Sequence, residues 1–136
     1  MKTLNKRAAM LTLAVVGMAG CGEVSEVQLG ALLSLEGRAS SYGQSIQRGI
    51  EVAVDRVNAA GGVDVGGNGT RVPFSVIVRD VQSDPQIGAQ LAQEFIDLGL
   101  PAVIGSDSSA VTLAIADLFQ QSEVVLISPA SSTLAL

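Results

Sequence analysis

The sequence contains no histidine and a single cysteine, Cys21, and its eight cations are outnumbered by 13 acids. Each shortage closes off a class of chemistry. Without histidine the chain lacks the commonest general base and the commonest metal ligand. One cysteine cannot form an intramolecular disulfide, so the fold must stand on packing. Three of the eight cations, Lys2, Lys6 and Arg7, lie at the extreme N-terminus. The rest of the chain then carries five arginines against 13 acids, a formal charge of −8, and the arginines are scattered. That distribution excludes a nucleic-acid partner, which needs a clustered basic face. No Gly-x-Gly-x-x-Gly follows the first strand pattern, which weakens a dinucleotide site. Gly105-Ser106-Asp107-Ser108 is not a Gly-x-Ser-x-Gly elbow, and no histidine exists to serve a serine there. Catalysis is therefore not expected, and no cofactor is implied.

What is present begins with a targeting pattern. Lys2, Lys6 and Arg7 precede an apolar run, Ala8 to Val16, that is too short to span a bilayer as a mature helix. Met18-Ala19-Gly20-Cys21 follows. The pattern resembles a bacterial lipoprotein signal over 1–20, cut before Cys21, whose thiol then carries the lipid. Met18 stands where leucine is more usual. An ordinary secretory signal with an incidental cysteine is the other reading. Residues 21–26 would be an anchor linker and 27–136 the folded part.

Within 27–136 the hydrophobic pattern alternates between strand and helix periods. Val27, Leu29 and Ala31 to Leu33 form an apolar run of strand length. Ser40 and Ser41 are candidate N-caps. Ile46, Ile50, Val54 and Val57 then make one stripe at helical spacing, stopped by Gly61-Gly62. Val63 to Arg71 reads as a glycine-rich turn region, because phosphate-cradling loops open directly into a helix and this one precedes a strand. Val72 to Arg79 alternates as a strand, and Pro73 near its start suits an early or edge position. Asp84 before Pro85 is an N-cap followed by proline at the first helical position. Ile87, Leu91, Phe95 and Leu98 repeat the helical stripe up to Gly99. Ala102 to Ile104 and Val124 to Ile127 are two further strands, with a third helix between them facing inward through Val111, Ala114, Ile115 and Leu118. The order β-α-β-α-β-α-β predicts an α/β fold, a doubly wound parallel sheet with helices on both faces. The chain reaches Leu136 where a fourth helix would begin, which points to an incomplete lobe.

Three loops rich in hydroxyls leave the carboxyl ends of strands: 34–42, 105–109 and 128–133. In an open α/β sheet such loops converge on one edge, where ligands bind. Free amides at helix starts there suit a carboxylate, and serine hydroxyls suit a zwitterion. The same serines are equally read as helix caps. Asp80, Asp84 and Asp107 could hold a hard cation, although Asp84 is better explained as a cap.

Linked motifs then identify a resemblance. Leu29-Gly30-Ala31-Leu32-Leu33, Glu36-Gly37, Tyr42-Gly43, Asn58-Ala59-Ala60-Gly61-Gly62, Asp80, Ser83-Asp84-Pro85, Val103-Ile104-Gly105 and Ile127-Ser128-Pro129-Ala130 resemble the branched-chain amino-acid-binding proteins of ABC importers. These are type I periplasmic-binding proteins, two lobes that close on a ligand. The likeness covers 27–136 and at most the N-terminal half of such a protein. It implies that Ser109 holds the amino-acid carboxylate, with Ser108 beside it. Ala130 would offer backbone, and Ser131 and Ser132 the loop that assists, with Thr133 a one-residue alternative to Ser132. Tyr42 would line the ligand's side-chain wall; a surface loop tyrosine is its other reading. Some relatives join two loops by a disulfide at positions that are Ser83 and Ser108 here. Asp107 departs from the pattern and would repel an anionic group. The implied partners are a small amino-acid-like ligand, an ABC permease and, through the lipid, a membrane. The fold is shared with amide and amino-acid sensors, so a ligand-sensing lobe of a receptor or regulator is the second reading. With the second lobe absent, 21–136 alone is expected to bind amino acids weakly or not at all.

Overall fold

A computed structural model describes residues 24–133. The signal pattern, Cys21 and the last three residues therefore lie outside the described residues. The chain order is β1 (Val27–Leu33), α1 (Ser40–Ala59), β2 (Val63–Asp64), β3 (Arg71–Val72), β4 (Phe74–Asp80), α2 (Pro85–Asp97), β5 (Ala102–Gly105), α3 (Ser109–Gln121) and β6 (Val125–Ile127). Four strands form one parallel sheet in the order β4-β1-β5-β6. The predicted sheet is thus present, and β4 with its leading Pro73 is an edge strand.

Register fixes which residues face which helix. Leu29 pairs with Val76 and Ala31 with Val78, while Gly30 pairs with Ile77 and Leu32 with Arg79. Side chains alternate across a strand, so these are two opposite faces. Val76 and Val78 line a groove against Ile50 and Val54 of α1. Ile77 and Leu32 pack instead with Ala92 and Phe95 of α2 and Val111, Ile115 and Phe119 of α3. Helices therefore cover both faces, as a doubly wound sheet requires. The cover is unequal. Val125 and Ile127 share the α1 side of the sheet by register, and they are 57% and 55% exposed.

The helix α2 starts as its sequence dictates. Asp84 Oδ1 accepts from the amides of Gln86 (2.7 Å) and Ile87 (3.1 Å), with Pro85 at the first position. Its inner line is Gly88, Ala92 and Phe95 rather than the full predicted stripe, and Leu98 is 54% exposed. The reason lies at Gly99, whose positive φ turns the chain so that Leu100 enters the core in place of Leu98. Gly88 lets the two helices approach, because a Cβ there would meet Val111 Cγ1 at 2.5 Å. That contact also sets the phase of α3. Its buried line is Val111, Thr112, Ile115 and Phe119, with Leu118 half-buried and Ala114 facing outward, against expectation.

Two further differences have local causes. The turn region 63–71 folds back as a short antiparallel hairpin of β2 and β3, with Val63 opposite Val72. At the start of α1 neither Ser40 nor Ser41 caps; Ala39 occupies the N-cap position without a side-chain bond. A tertiary contact sets that start instead, the Ala39 amide donating to Ser83 Oγ at 3.1 Å. The helix end is as predicted, with Gly61 and Gly62 at positive φ and the Gly62 amide reaching Val57 O.

Candidate functional site

The strand order reverses beside β1. The chain goes from β1 outward to β4 and then returns to lay β5 on the other flank of β1. Loops 34–39 and 106–108 leave the carboxyl ends of the two strands at this switch point, where an open α/β sheet forms its crevice. Loop 128–133 leaves the neighbouring β6 on the same edge.

The loops are built from hydrogen bonds that local sequence does not reveal. Asp80, the last residue of β4, holds loop 34–39: its Oδ1 accepts from the amides of Leu35 (2.8 Å), Gln82 (2.8 Å) and Glu36 (3.3 Å). Ser83 Oγ takes the Ala39 amide on the same loop. Gly43 is required here, since a Cβ would run into the Ser34 carbonyl. Tyr42 sits in the first turn of α1 rather than in the loop and is 65% exposed.

Asp107 joins the two sides of the switch point. Its Oδ1 accepts from the Ser34 amide at 2.7 Å and from Ser106 Oγ at 3.4 Å, and the residue is only 8% exposed. Its other oxygen and Ser34 Oγ are buried and have no hydrogen-bond partner. The carboxylate is thus turned into the seam between β1 and β5 rather than displayed on the loop surface. Asp80, Asp84 and Asp107 each spend an oxygen on backbone amides, and among the described residues no group of three acids, cysteines or histidines could hold a metal.

The residues expected to receive a ligand come from loops 106–109 and 128–133. The Ser132 amide donates to Ser109 Oγ at 3.3 Å, so these two are brought together across 23 residues of chain. Ser108 occupies the N-cap position of α3, but its side chain makes no cap bond. The first amides of α3 therefore lack the side-chain acceptor that Asp84 supplies to α2, and they sit next to Ser109 and Ser132. Ala130 is exposed. Ser131 is turned inward, its hydroxyl 2.6 Å from Thr112 Oγ1 and 3.2 Å from Ser106 O. Ser83 and Ser108 serve separate loops: Ser83 holds Ala39, and the Ser108 amide donates to Ser106 Oγ. Two concave regions lie away from this edge. One of about 290 Å³ separates α1 from β4, and one of about 470 Å³ lies at the opposite strand ends near Val27, Leu98 and Pro101.

A doubly wound parallel sheet with hydroxyl-bearing loops on its switch-point edge is the arrangement in which open α/β sheets form a ligand crevice. The chain belongs to the periplasmic binding protein family, whose model matches residues 26–135. Among curated relatives, it is 30% identical over 119 residues to Leu/Ile/Val-binding protein homolog 2 of Brucella abortus, covering 88% of this chain and 30% of the relative. It is 31% identical over 122 residues to homolog 1 of the same organism, covering 90% of this chain and 31% of the relative. The branched-chain amino-acid transporter substrate-binding protein LivJ of Streptococcus pneumoniae, solved with isoleucine, superposes with a TM-score of 0.73 at 27% identity over 80% of this chain and 30% of its own. A Desulfitobacterium hafniense ABC transporter substrate-binding protein solved with leucine gives a TM-score of 0.68 at 28% identity, again over 80% and 30%. The chain thus spans about 30% of the length of the relatives it matches. The fold class and the family resemblance read from the sequence are both established by these likenesses.

Proposed function

We propose that this chain supplies the first-lobe half of an extracytoplasmic solute-binding protein that delivers an amino acid of the branched-chain type to an ABC permease. The observation that carries the reading is the Ser132–Ser109 hydrogen bond beside the uncapped start of α3. It presents a hydroxyl, backbone amides and a helix N-terminus together, a set suited to a carboxylate. The relatives solved with isoleucine and leucine support the ligand class. In this reading Ser108, Ser109, Ala130, Ser131 and Ser132 form the loop pair at the ligand's polar end, and Tyr42 stands at the rim. Binding proceeds by closure of a second lobe over this edge, with no bond made or broken. Residues 1–20 act as the export signal, 21–26 as a linker, and Cys21 carries the lipid that holds the protein to the envelope. No helix among the described residues is long and apolar enough to cross a membrane.

The test is a titration of L-leucine, L-isoleucine and L-valine into the ¹⁵N-labelled chain, with D-ribose as control. Saturable shifts confined to 106–109 and 128–133, at weak affinity, support the reading. Equal shifts with ribose, or saturable amino-acid shifts confined to other surfaces, contradict it.

A further inference from the structure

We propose that Thr112 is the positioning residue of the solute site, the hydroxyl that locks loop 128–133 against loop 106–108 so that Ser109 and Ser132 meet. The proposal rests on the binding role above for its meaning, but its geometry stands on the structure alone. Thr112 lies one turn into α3, is 2% exposed, and is wedged beside Val111 and Ile115 in a line that is otherwise apolar. Its Oγ1 is within hydrogen-bond distance of four groups: Ser108 O (3.0 Å), Ser106 N (3.2 Å), Ser106 O (3.3 Å) and Ser131 Oγ (2.6 Å).

A hydroxyl has one proton and two lone pairs, which limits how these contacts are shared. The Ser106 amide can only donate, so it uses one lone pair of Thr112. Ser106 O is already served by the Ser128 hydroxyl at 2.8 Å. Ser108 O is likewise served, by the Thr112 amide at 2.9 Å, so the Thr112 proton goes either to Ser108 O or to Ser131 Oγ. In the first case the Ser131 hydroxyl donates to Thr112 Oγ1, in the second to Ser106 O, and the Thr112–Ser131 bond is made in both. The Ser131 amide in turn donates to Ser128 Oγ at 3.2 Å, closing a ring through both loops.

A threonine that bonds only its own i−4 carbonyl is an ordinary helix habit and would say nothing of function. Thr112 does more. It accepts from a backbone amide of the β5 loop and shares a hydrogen bond with a side chain 19 residues further along, in the β6 loop. The next residue after Ser131 is Ser132, whose amide reaches Ser109. Valine has nearly the same shape but no hydroxyl, so T112V leaves the buried Ser106 amide without its acceptor and takes away the 2.6 Å partner of the Ser131 hydroxyl. Their relief is for loop 128–133 to lift away, which separates Ser132 from Ser109.

The experiment uses the full chain with T112V, T112S and S131A, and reads amide exchange and the L-leucine shift titration. T112V is expected to speed exchange at Ser131 and Ser132 by about tenfold or more while β1 amides stay protected. It should also weaken L-leucine by about fivefold, the size of one lost hydrogen bond. T112S, which keeps the hydroxyl, should stay within about twofold of the parent in both readouts. Should T112V fail to fold, S131A removes the same bond from the loop side and should loosen Ser132 alike. Unchanged exchange at Ser132 in T112V or S131A, or T112S behaving as T112V does, overturns the proposal. Where the parent chain shows no L-leucine shifts, the exchange data decide the role of Thr112 by themselves.

Discussion

Removing the Asp80 carboxylate should loosen the first loop of the site and cost measurable stability. Asp80 Oδ1 gathers three backbone amides, those of Leu35 and Gln82 at 2.8 Å and that of Glu36 at 3.3 Å. Hydrogen bonds to a charged acceptor contribute about 1.5–3 kcal/mol, and most of the cost of losing one comes from groups left dry. The Glu36 and Gln82 amides are open to water and recover a partner. The Leu35 amide is part-buried and does not recover fully. D80A should therefore cost about 2 kcal/mol, well below the sum for three independent bonds. D80N keeps an acceptor oxygen without the charge and should cost about 1 kcal/mol. Urea unfolding followed by circular dichroism reads both numbers, and with a slope of about 2 kcal/mol/M the D80A midpoint should fall by about 1 M. Amide exchange at 35–39 should rise in D80A while that of β5 is unchanged. A D80A midpoint matching the parent, or loosening spread evenly over the sheet, would refute the assignment of Asp80 as the clamp of this loop.

Other outcomes follow from the same structure. F95A removes a fully buried ring at the centre of the core and should cost about 3–5 kcal/mol in the same urea assay; a loss under about 1 kcal/mol would mean that the α2 face is not packed as described. The S109A/S132A pair should weaken L-leucine by about tenfold or more without changing the unfolding free energy by over about 0.5 kcal/mol, read by shift titration and urea unfolding together. For the export segment, expression in a bacterial host with labelled palmitate should mark the parent and leave C21S unlabelled, and equal labelling of both would remove Cys21 as the lipid site.

The sequence shows the periods of this fold well and their phases less well. Ile46, Ile50, Val54 and Val57 mark the face of α1 turned to the sheet, and all four are half-buried while most of their neighbours are exposed. Asp84-Pro85 and Gly61-Gly62 mark helix ends because their effects are local. Leu98 and Ala114 fit their helical stripes but point outward, since Gly99 delivers Leu100 to the core and the Gly88–Val111 contact rotates α3. Those are tertiary decisions that no period encodes. The candidate site divides in the same way. The serines of the two loops are visible as composition, but the network that arranges them is not, because Thr112 to Ser131 and Asp107 to Ser34 span 19 and 73 residues. One local signal for Thr112 does exist: it continues the line of Ile115 and Phe119 as a polar residue on a buried helix face. A polar side chain in such a place must find partners, and here those partners are the loops.

The most direct measurement is a crystal structure of the chain soaked with L-isoleucine. Density for the amino acid should lie on the edge formed by 106–109 and 128–133, with its carboxylate within hydrogen-bond reach of Ser109 Oγ and the first amides of α3. Density in the groove between α1 and β4 instead would contradict the account.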